Sequence, residues 1–340
     1  MTTMIALVGE QPLPNFLPVR QYERITHVLL VYTHTTEQHF KYLQEKLQME
    51  VETVYGLKTD PYDMRIIVDK LNAKLDELEA RKKIPFEFNL TGGTKPMALA
   101  AYQVAARRQA PIIYVRSEKN APITIDHYIW KDDQLTSQES KPLTTYIELE
   151  DALELYLGPR ETIKGEATWS IVEPTQDINT FGHLFELAIA KALKEGGYKV
   201  ICCLKGHGNQ LDIDVMIGYH NQIGIIEAKT SGGGGVKKPE EIVEAKEHSG
   251  DKSKKIDGQV TKLDGIKQLS YAMQYLKGTY IKQFHVIAGT SSDNLTMMCK
   301  TLDIPLISLP NYKRGPTATT LPDEDRKVLL AEIDRVMKVD

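Results

Sequence analysis

The stretch LDIDVMIGYHNQIGIIEAKT, residues 211–230, limits what this chain can become more than any other segment. It reads as two apolar strands joined by the turn-like GYHNQ, yet it holds four charged side chains, Asp212, Asp214, Glu227 and Lys229. Side chains alternate across a strand, so Asp212 and Asp214 share one face while Leu211, Ile213, Val215 and Ile217 take the other. Glu227 and Lys229 project together in the same way, opposite Ile226 and Ala228. One hairpin therefore gathers an aspartate, a glutamate and a lysine on a common surface. An ion pair on a solvated sheet face contributes little. The flanks VMI and IGII read as buried, however, and an ion pair inside a core rarely improves on apolar packing.

The carboxylates are more economically read as ligands for a cation. Hard divalent ions take oxygen ligands, and Mg²⁺ or Mn²⁺ held by carboxylates polarises a phosphodiester and lowers the pKa of a bound water. A neighbouring lysine orients that water or stabilises developing negative charge. Asp212 competes with Asp214 for the ligand role, and Asp214 is preferred because the hydrophobic run follows it directly.

Around this hairpin the second half of the chain reads as a helix over 177–195, a strand over 198–204, the two charged strands, a helix over 260–276, a strand over 280–288, a helix over 295–302, a short strand over 306–309 and a last amphipathic helix over 323–339. The first half alternates short β-branched runs at 5–8, 27–32, 51–55, 86–90 and 112–115 with helical spacing over 37–47, 62–81 and 95–108. Such alternation predicts βα units on a mostly parallel sheet, with ligands beyond the carboxyl ends of the strands. Strands over 123–130 and 144–147 complete that sheet and a helix over 148–157 closes the domain. The expected division is 1–157, a linker over 158–166, and 167–340. Residues 231–258, with SGGGG and crowded lysines, read as a long excursion that is functional or solvated.

A chain of 340 residues exceeds what one hydrophobic core usually organises, in keeping with two domains. Its net charge of −4 gives no global attraction to nucleic acid or anionic membrane, so a polyanion site must come from local arrangement. Of three cysteines, two are sequence neighbours, and no Cys-x-x-Cys pattern is present. No run approaches the ~18 apolar residues of a membrane span. The expectation is a cytoplasmic protein in a reducing setting.

An aspartate on one strand followed by Glu-Ala-Lys on the next resembles the PD-(D/E)xK nuclease signature. The resemblance implies metal-binding and catalytic roles for Asp214 and Glu227, a water-positioning role for Lys229, and a further ligand from a preceding helix, matched by Glu186 in GHLFELAIAKAL. Gln268 falls where that family often places a glutamine. The proline that usually opens the signature is not adjacent to Asp214. The implied cofactor is Mn²⁺ or Mg²⁺.

In the first half, FEFNLTGGTKPMALAAYQVA presents a strand, a glycine turn and a helix. Thr94 suits an N-cap and Pro96 the first helical turn. Backbone N–H groups at that helix start, with Lys95, suit a phosphate, although neither the P-loop nor the dinucleotide fingerprint is present. With the opening VGEQPLPNFLP and the strand end YTHTTEQH, this turn resembles the CARF domain, the CRISPR-associated Rossmann-like sensor of cyclic oligoadenylates. On that likeness Gln11, Pro12, Asn15, Thr33, His34, Thr91, Gly92, Gly93, Thr94 and Lys95 line the nucleotide site.

Joined, the two resemblances imply an α/β protein: an N-terminal Rossmann-like CARF domain and a C-terminal mixed α/β domain of restriction-endonuclease type. They imply a type III CRISPR ancillary endonuclease, activated by a cyclic oligoadenylate, with the tetramer expected. Two subunits would share the ring across a twofold axis. The expected substrate is DNA, by nicking or single-strand cleavage, with RNA the other substrate weighed. The rival readings are a restriction or repair nuclease not gated by a ring, and a non-catalytic ligand-sensing regulator.

Overall fold

The computed structural model describes residues 1–340 except 82, 119–120, 161–168, 172–180, 207–210, 231–256, 314–317 and 339–340, with only the backbone at 257–263. The chain divides into two compact units, Met1–Thr168 with Leu276–Tyr280 and Val339–Asp340, and Trp169–Tyr275 with Ile281–Lys338. Both are mixed α/β. Most of the expected linker, and residues 231–256 of the lysine-rich excursion, lie outside the described residues.

In the first unit the elements run β1 (Thr2–Leu7), α1 (Leu13–Gln21), β2 (Ile25–Tyr32), α2 (Glu37–Leu47), β3 (Thr53–Lys58), α3 (Met64–Arg81), β4 (Phe86–Asn89), α4 (Lys95–Arg108), β5 (Ile112–Arg116), β6 (Thr124–Lys131), β7 (Gln134–Pro142) and α5 (Leu149–Leu157). The sheet order is β3-β2-β1-β4-β5-β6-β7. Strands β1 to β5 pair in parallel and β5, β6 and β7 antiparallel. Because β1 lies between β2 and β4, the chain reverses its direction of travel there, which leaves a crevice beyond the carboxyl ends of β1 and β4. Strand β1 is buried at Met4, Ile5, Ala6 and Leu7, as a parallel strand covered on both faces must be. Ile5, Leu7, Leu29 and Val31 pack with Ile67, Leu71 and Leu75 of α3 and Met97, Ala101 and Val104 of α4. Each of these side chains larger than alanine contributes about 1.5–3 kcal/mol by leaving water.

Two sequence expectations change here. Residues 144–147 are not a strand; the sheet ends instead in the β6–β7 hairpin, whose second strand is almost wholly exposed and so carries no hydrophobic alternation. The segment after β1, to which the sequence pattern assigns no helix, turns into helix α1 at Leu13. Its prolines hide it: Pro14 falls in the first turn, where its missing N–H is harmless, but Pro18 interrupts the helical pattern.

The second unit runs β8 (Trp169–Ile171), α6 (Phe181–Glu195), β9 (Lys199–Gly206), β10 (Leu211–Tyr219), β11 (Gln222–Lys229), α7 (Asp257–Tyr275), β12 (Ile281–Ala288), α8 (Asp293–Thr301), β13 (Leu306–Leu309) and α9 (Asp323–Met337). The sheet order is β13-β12-β11-β10-β9-β8, antiparallel from β8 to β11 and parallel from β11 to β13. Phe185, Ile189 and Leu193 of α6 and Leu329 and Ile333 of α9 bury Val215, Ile217, Ile226 and Ala228 of the charged hairpin. Among the described residues no helix is long and apolar enough to cross a membrane.

Candidate active site and ligand cleft

Strands β10 and β11 pair from Tyr219↔Gln222 back to Val215↔Ile226, where the ladder ends. The next positions are Asp214 and Glu227, so the two carboxylates stand where the strands part. Asp214 Oδ2 accepts the backbone N–H of Ala228 at 2.7 Å. Lys229 pairs with Glu227, and its Nζ lies 3.7 Å from Asp214 Oδ2. Asp212, by contrast, is exposed and faces Lys205 at 4.0 Å. The alternation holds, since Leu211, Ile213 and Val215 are buried and the Asp212 charge still acts on Asp214 and Glu186, but only Asp214 lies close enough to meet Lys229.

Glu186 enters from α6 with its side chain 18% exposed. Burial, and then the Asp214 charge, push its carboxyl up to about 8, with Lys229 pulling the other way. Glu227 is 2% exposed, and burial followed by Asp214 pushes it up to about 9. Burial likewise raises Asp214, against the opposing pull of Lys229 and the Ala228 N–H. Burial alone would lower Lys229, but Asp214 and Glu227 outweigh it and hold the ammonium above its ordinary range. Three carboxylates around one ammonium form a cluster short of positive charge. Their donor set is all oxygen, which fits a hard divalent cation.

Two supports were not visible as site residues in the sequence. His285 of β12 is fully buried beside Glu227, and its Nδ1–H donates to the Glu227 carbonyl at 3.2 Å. Gly265 of α7 lets that helix approach: an added Cβ would stand 2.5 Å from His285 Cε1 and 3.1 Å from Glu227 Cγ. Gln268 lies on the same helix, half-buried. Cys203 of β9 stands opposite Asp214, between the pairs Leu204↔Ile213 and Cys202↔Val215. Its φ of 53° is left-handed, a conformation that costs a non-glycine residue about 1–2 kcal/mol. Burial, then Glu186, push its thiol up to about 12.

In the first unit the turn after β4 is built on two buried asparagines. Asn15 donates to Leu7 O at 2.9 Å, and Asn89 donates to Pro14 O at 2.8 Å while accepting the Thr91 hydroxyl at 2.7 Å. The Thr91 oxygen in turn accepts the Val115 N–H at 2.8 Å. Gly92 has no room for a side chain, since a Cβ would stand 2.1 Å from Leu7 O, and Gly93 has a φ of 72° that only glycine adopts freely. Thr94 caps α4 by accepting Met97 N–H at 3.3 Å, as expected from the sequence.

Beyond these strand ends lies a cleft of about 400 Å³. Of the ten residues expected there, Gln11, Thr91, Gly92 and Gly93 line it. Asn15 and Thr33 are buried, Asn15 framing the turn and Thr33 donating its N–H to the Thr36 hydroxyl at 3.0 Å. Pro12 precedes α1 and its carbonyl accepts the Asn15 N–H at 3.0 Å. Thr94 donates its hydroxyl to Pro61 O at 2.5 Å, and His34 and Lys95 are exposed. Sequence reasoning missed Gly9, Glu10, Pro14, Tyr114 and Ser117 in the lining. The Tyr114 side chain, 43% exposed in the middle of β5, offers a stacking surface. The Ser117 hydroxyl is buried without a partner among the described residues. A tyrosine within Ile-Ile-Tyr-Val was the available signal for the former.

Comparison with known proteins bears on both units. Residues 3–146 match the family model of the Card1 CARF domain. No curated protein matches the chain. Among solved structures the chain is similar to protein VC1899 from Vibrio cholerae, at 14% identity with a TM-score of 0.65, over 99% of this chain and 98% of that one. It is also similar to Can2 from Sulfobacillus thermosulfidooxidans in complex with cyclic tetra-adenylate, at 15% identity with a TM-score of 0.64, over 98% and 97% of the two chains. A type III CRISPR defence DNA nuclease activated by cyclic oligoadenylate is similar at 16% identity with a TM-score of 0.52, over 96% of this chain and 51% of that one. At these identities the likeness is one of fold.

Proposed function

We propose that the protein is a metal-dependent endonuclease of type III CRISPR defence, activated when its CARF domain binds a cyclic oligoadenylate. The observation that carries the catalytic half is the gathering of Asp214, Glu227 and Lys229 where β10 and β11 part, with Glu186 sensing the Asp214 charge. The sensing half is supported by the CARF match and by the likeness in fold to a protein bound to cyclic tetra-adenylate.

Glu186, Asp214 and Glu227 would hold Mn²⁺ or Mg²⁺. Bound there, such an ion supplies charge neutralisation and Lewis acidity at the scissile phosphodiester. Lys229, kept as an ammonium by its two carboxylate neighbours, orients the attacking water or stabilises the charge that develops on the phosphate. The Ala228 N–H and the His285 imidazole fix Asp214 and the Glu227 backbone, so the donors are placed before substrate arrives. In the CARF cleft, backbone N–H groups around Gly92 and Gly93 suit phosphate oxygens and Tyr114 suits a base. Two CARF domains of a homodimer would share one symmetric ring. The ring shifts activity only through tighter binding to the active arrangement.

The test incubates the protein with supercoiled DNA and labelled RNA in Mn²⁺, with and without cyclic tetra-adenylate. Ring-dependent cleavage lost in Glu227→Ala, with ring binding retained, is the expected result. Cleavage that ignores the ring removes the sensing half, and cleavage that survives Glu227→Ala removes the catalytic half.

A further inference from the structure

Beside the carboxylate cluster lies a second group of donors with a different chemistry. His183, Glu186 and Cys203 bring a ring nitrogen, a carboxylate oxygen and a thiol sulfur within 4.8 Å of one another. His183 and Glu186 share a face of α6 at i,i+3 spacing, with Nδ1 and Oε2 3.3 Å apart. Cys203 Sγ comes from β9 and lies 3.9 Å from each. Neither His183 nor Cys203 has a part in the phosphodiester chemistry above.

Nitrogen, oxygen and sulfur ligands on a tetrahedral ion at ~2.0–2.3 Å stand about 3.3–3.6 Å apart, so these three atoms need shifts of only a few tenths of an ångström to enclose one. A set with one nitrogen and one sulfur is a poor match for Mg²⁺, which takes oxygen, and a good match for Zn²⁺ and its softer relatives. The left-handed backbone at Cys203 belongs to the same arrangement: a residue held in an unfavoured conformation opposite Asp214 carries the thiol of the triad.

We propose that His183, Glu186 and Cys203 form a binding site for a thiophilic divalent cation of the zinc class, and that its occupancy inhibits cleavage by withdrawing Glu186 from the neighbouring oxygen site. The inhibitory part rests on the reading of Glu186 as a ligand of the catalytic ion; the binding part does not. On binding, the Cys203 thiol proton passes to solvent, His183 offers the Nδ1 lone pair with its proton on Nε2, and no electron changes hands. Three protein donors leave a fourth position to water.

The probe is Co²⁺, added to the full chain and followed by absorption, with Zn²⁺ as competitor. One Co²⁺ per chain with a thiolate-to-metal charge-transfer band, displaced by Zn²⁺, is expected. The band should persist in Cys202→Ser and in Asp214→Asn and vanish in Cys203→Ser. His183→Gln, a second variant in case Cys203→Ser does not fold, should weaken Zn²⁺ by more than about 10-fold, the least that loss of an outer-shell partner costs. Equimolar Zn²⁺ should stop Mn²⁺-supported cleavage in the wild type and spare Cys203→Ser.

No band in the wild type, or a band that survives Cys203→Ser, overturns the site. A band without Zn²⁺ inhibition of the wild type overturns the inhibitory role. The spectra decide the site even for a chain that cuts nothing, which separates this result from the fate of the nuclease assignment.

Discussion

Asp214 accepts the backbone N–H of Ala228, 2.7 Å away, one position past the last β10–β11 pair. The side chain takes the place of a ladder bond, closes the fork between the strands and fixes its own carboxylate against Glu227 and Lys229. A residue that does both jobs can be split by substitution.

Asp214→Asn keeps an oxygen for the Ala228 N–H and loses the charge. Cleavage should fall at least about 100-fold, the order found when a group stabilising transition-state charge is removed, while the thermal midpoint stays close to wild type. Asp212→Asn should retain cleavage, because Asp212 is exposed and turned toward Lys205. Equal loss in the two variants, measured on supercoiled DNA with Mn²⁺, would refute this placement.

Glu186 and Glu227 give the metal-free protein a distinctive pH response. Their carboxyls rise from 4.5 to about 8 and about 9, so the folded chain holds protons that the unfolded chain releases near 4.5. Their stabilising contribution is complete below about 4.5 and is lost as pH rises toward about 9. His39 and His127, lowered by burial, act in the opposite sense near neutrality. The difference between wild type and Glu227→Gln therefore isolates the effect: thermal melts in chelator should show the wild type losing more stability between pH 5 and 9, and Mn²⁺ should narrow the gap. A gap that widens as pH falls would contradict the sign.

Tyr114 is the cleft residue best placed to stack a base, so Tyr114→Ala should weaken binding of cyclic tetra-adenylate by about 1–3 kcal/mol, the range for one base on one aromatic ring. Isothermal titration reads this directly. Gly92→Ala, which drives a methyl into Leu7 O, should cost about 1–3 kcal/mol of stability as well and abolish tight binding.

His285 is a positioning residue. In His285→Leu the Glu227 carbonyl loses its donor, which should lower Mn²⁺ affinity by about 10- to 100-fold and the stability by about 1–3 kcal/mol. Saturating Mn²⁺ should restore most of the cleavage rate. Failure of excess metal to rescue would show a role other than holding Glu227.

Much of this molecule is written in local pattern. The βα alternation of the first half, the TGGTK turn with its Thr94 cap, and the pairing of Glu227 with Lys229 follow from period-two alternation and from backbone sterics, which neighbouring residues decide among themselves. Three elements escaped: α1, interrupted by Pro18; β7, exposed along its length so that no apolar alternation marks it; and β8, whose three residues are too few to show a period. At the candidate active site the sequence by itself placed Asp214, Glu227 and Lys229 on one hairpin and suggested Glu186. Which aspartate joins the cluster was decided by where the β10–β11 ladder stops, and the nearness of His285, Gly265 and Cys203 by the packing of β12, α7 and β9. Those choices depend on contacts between residues far apart in the chain, and hydrophobic periodicity along a single strand or helix holds no record of them.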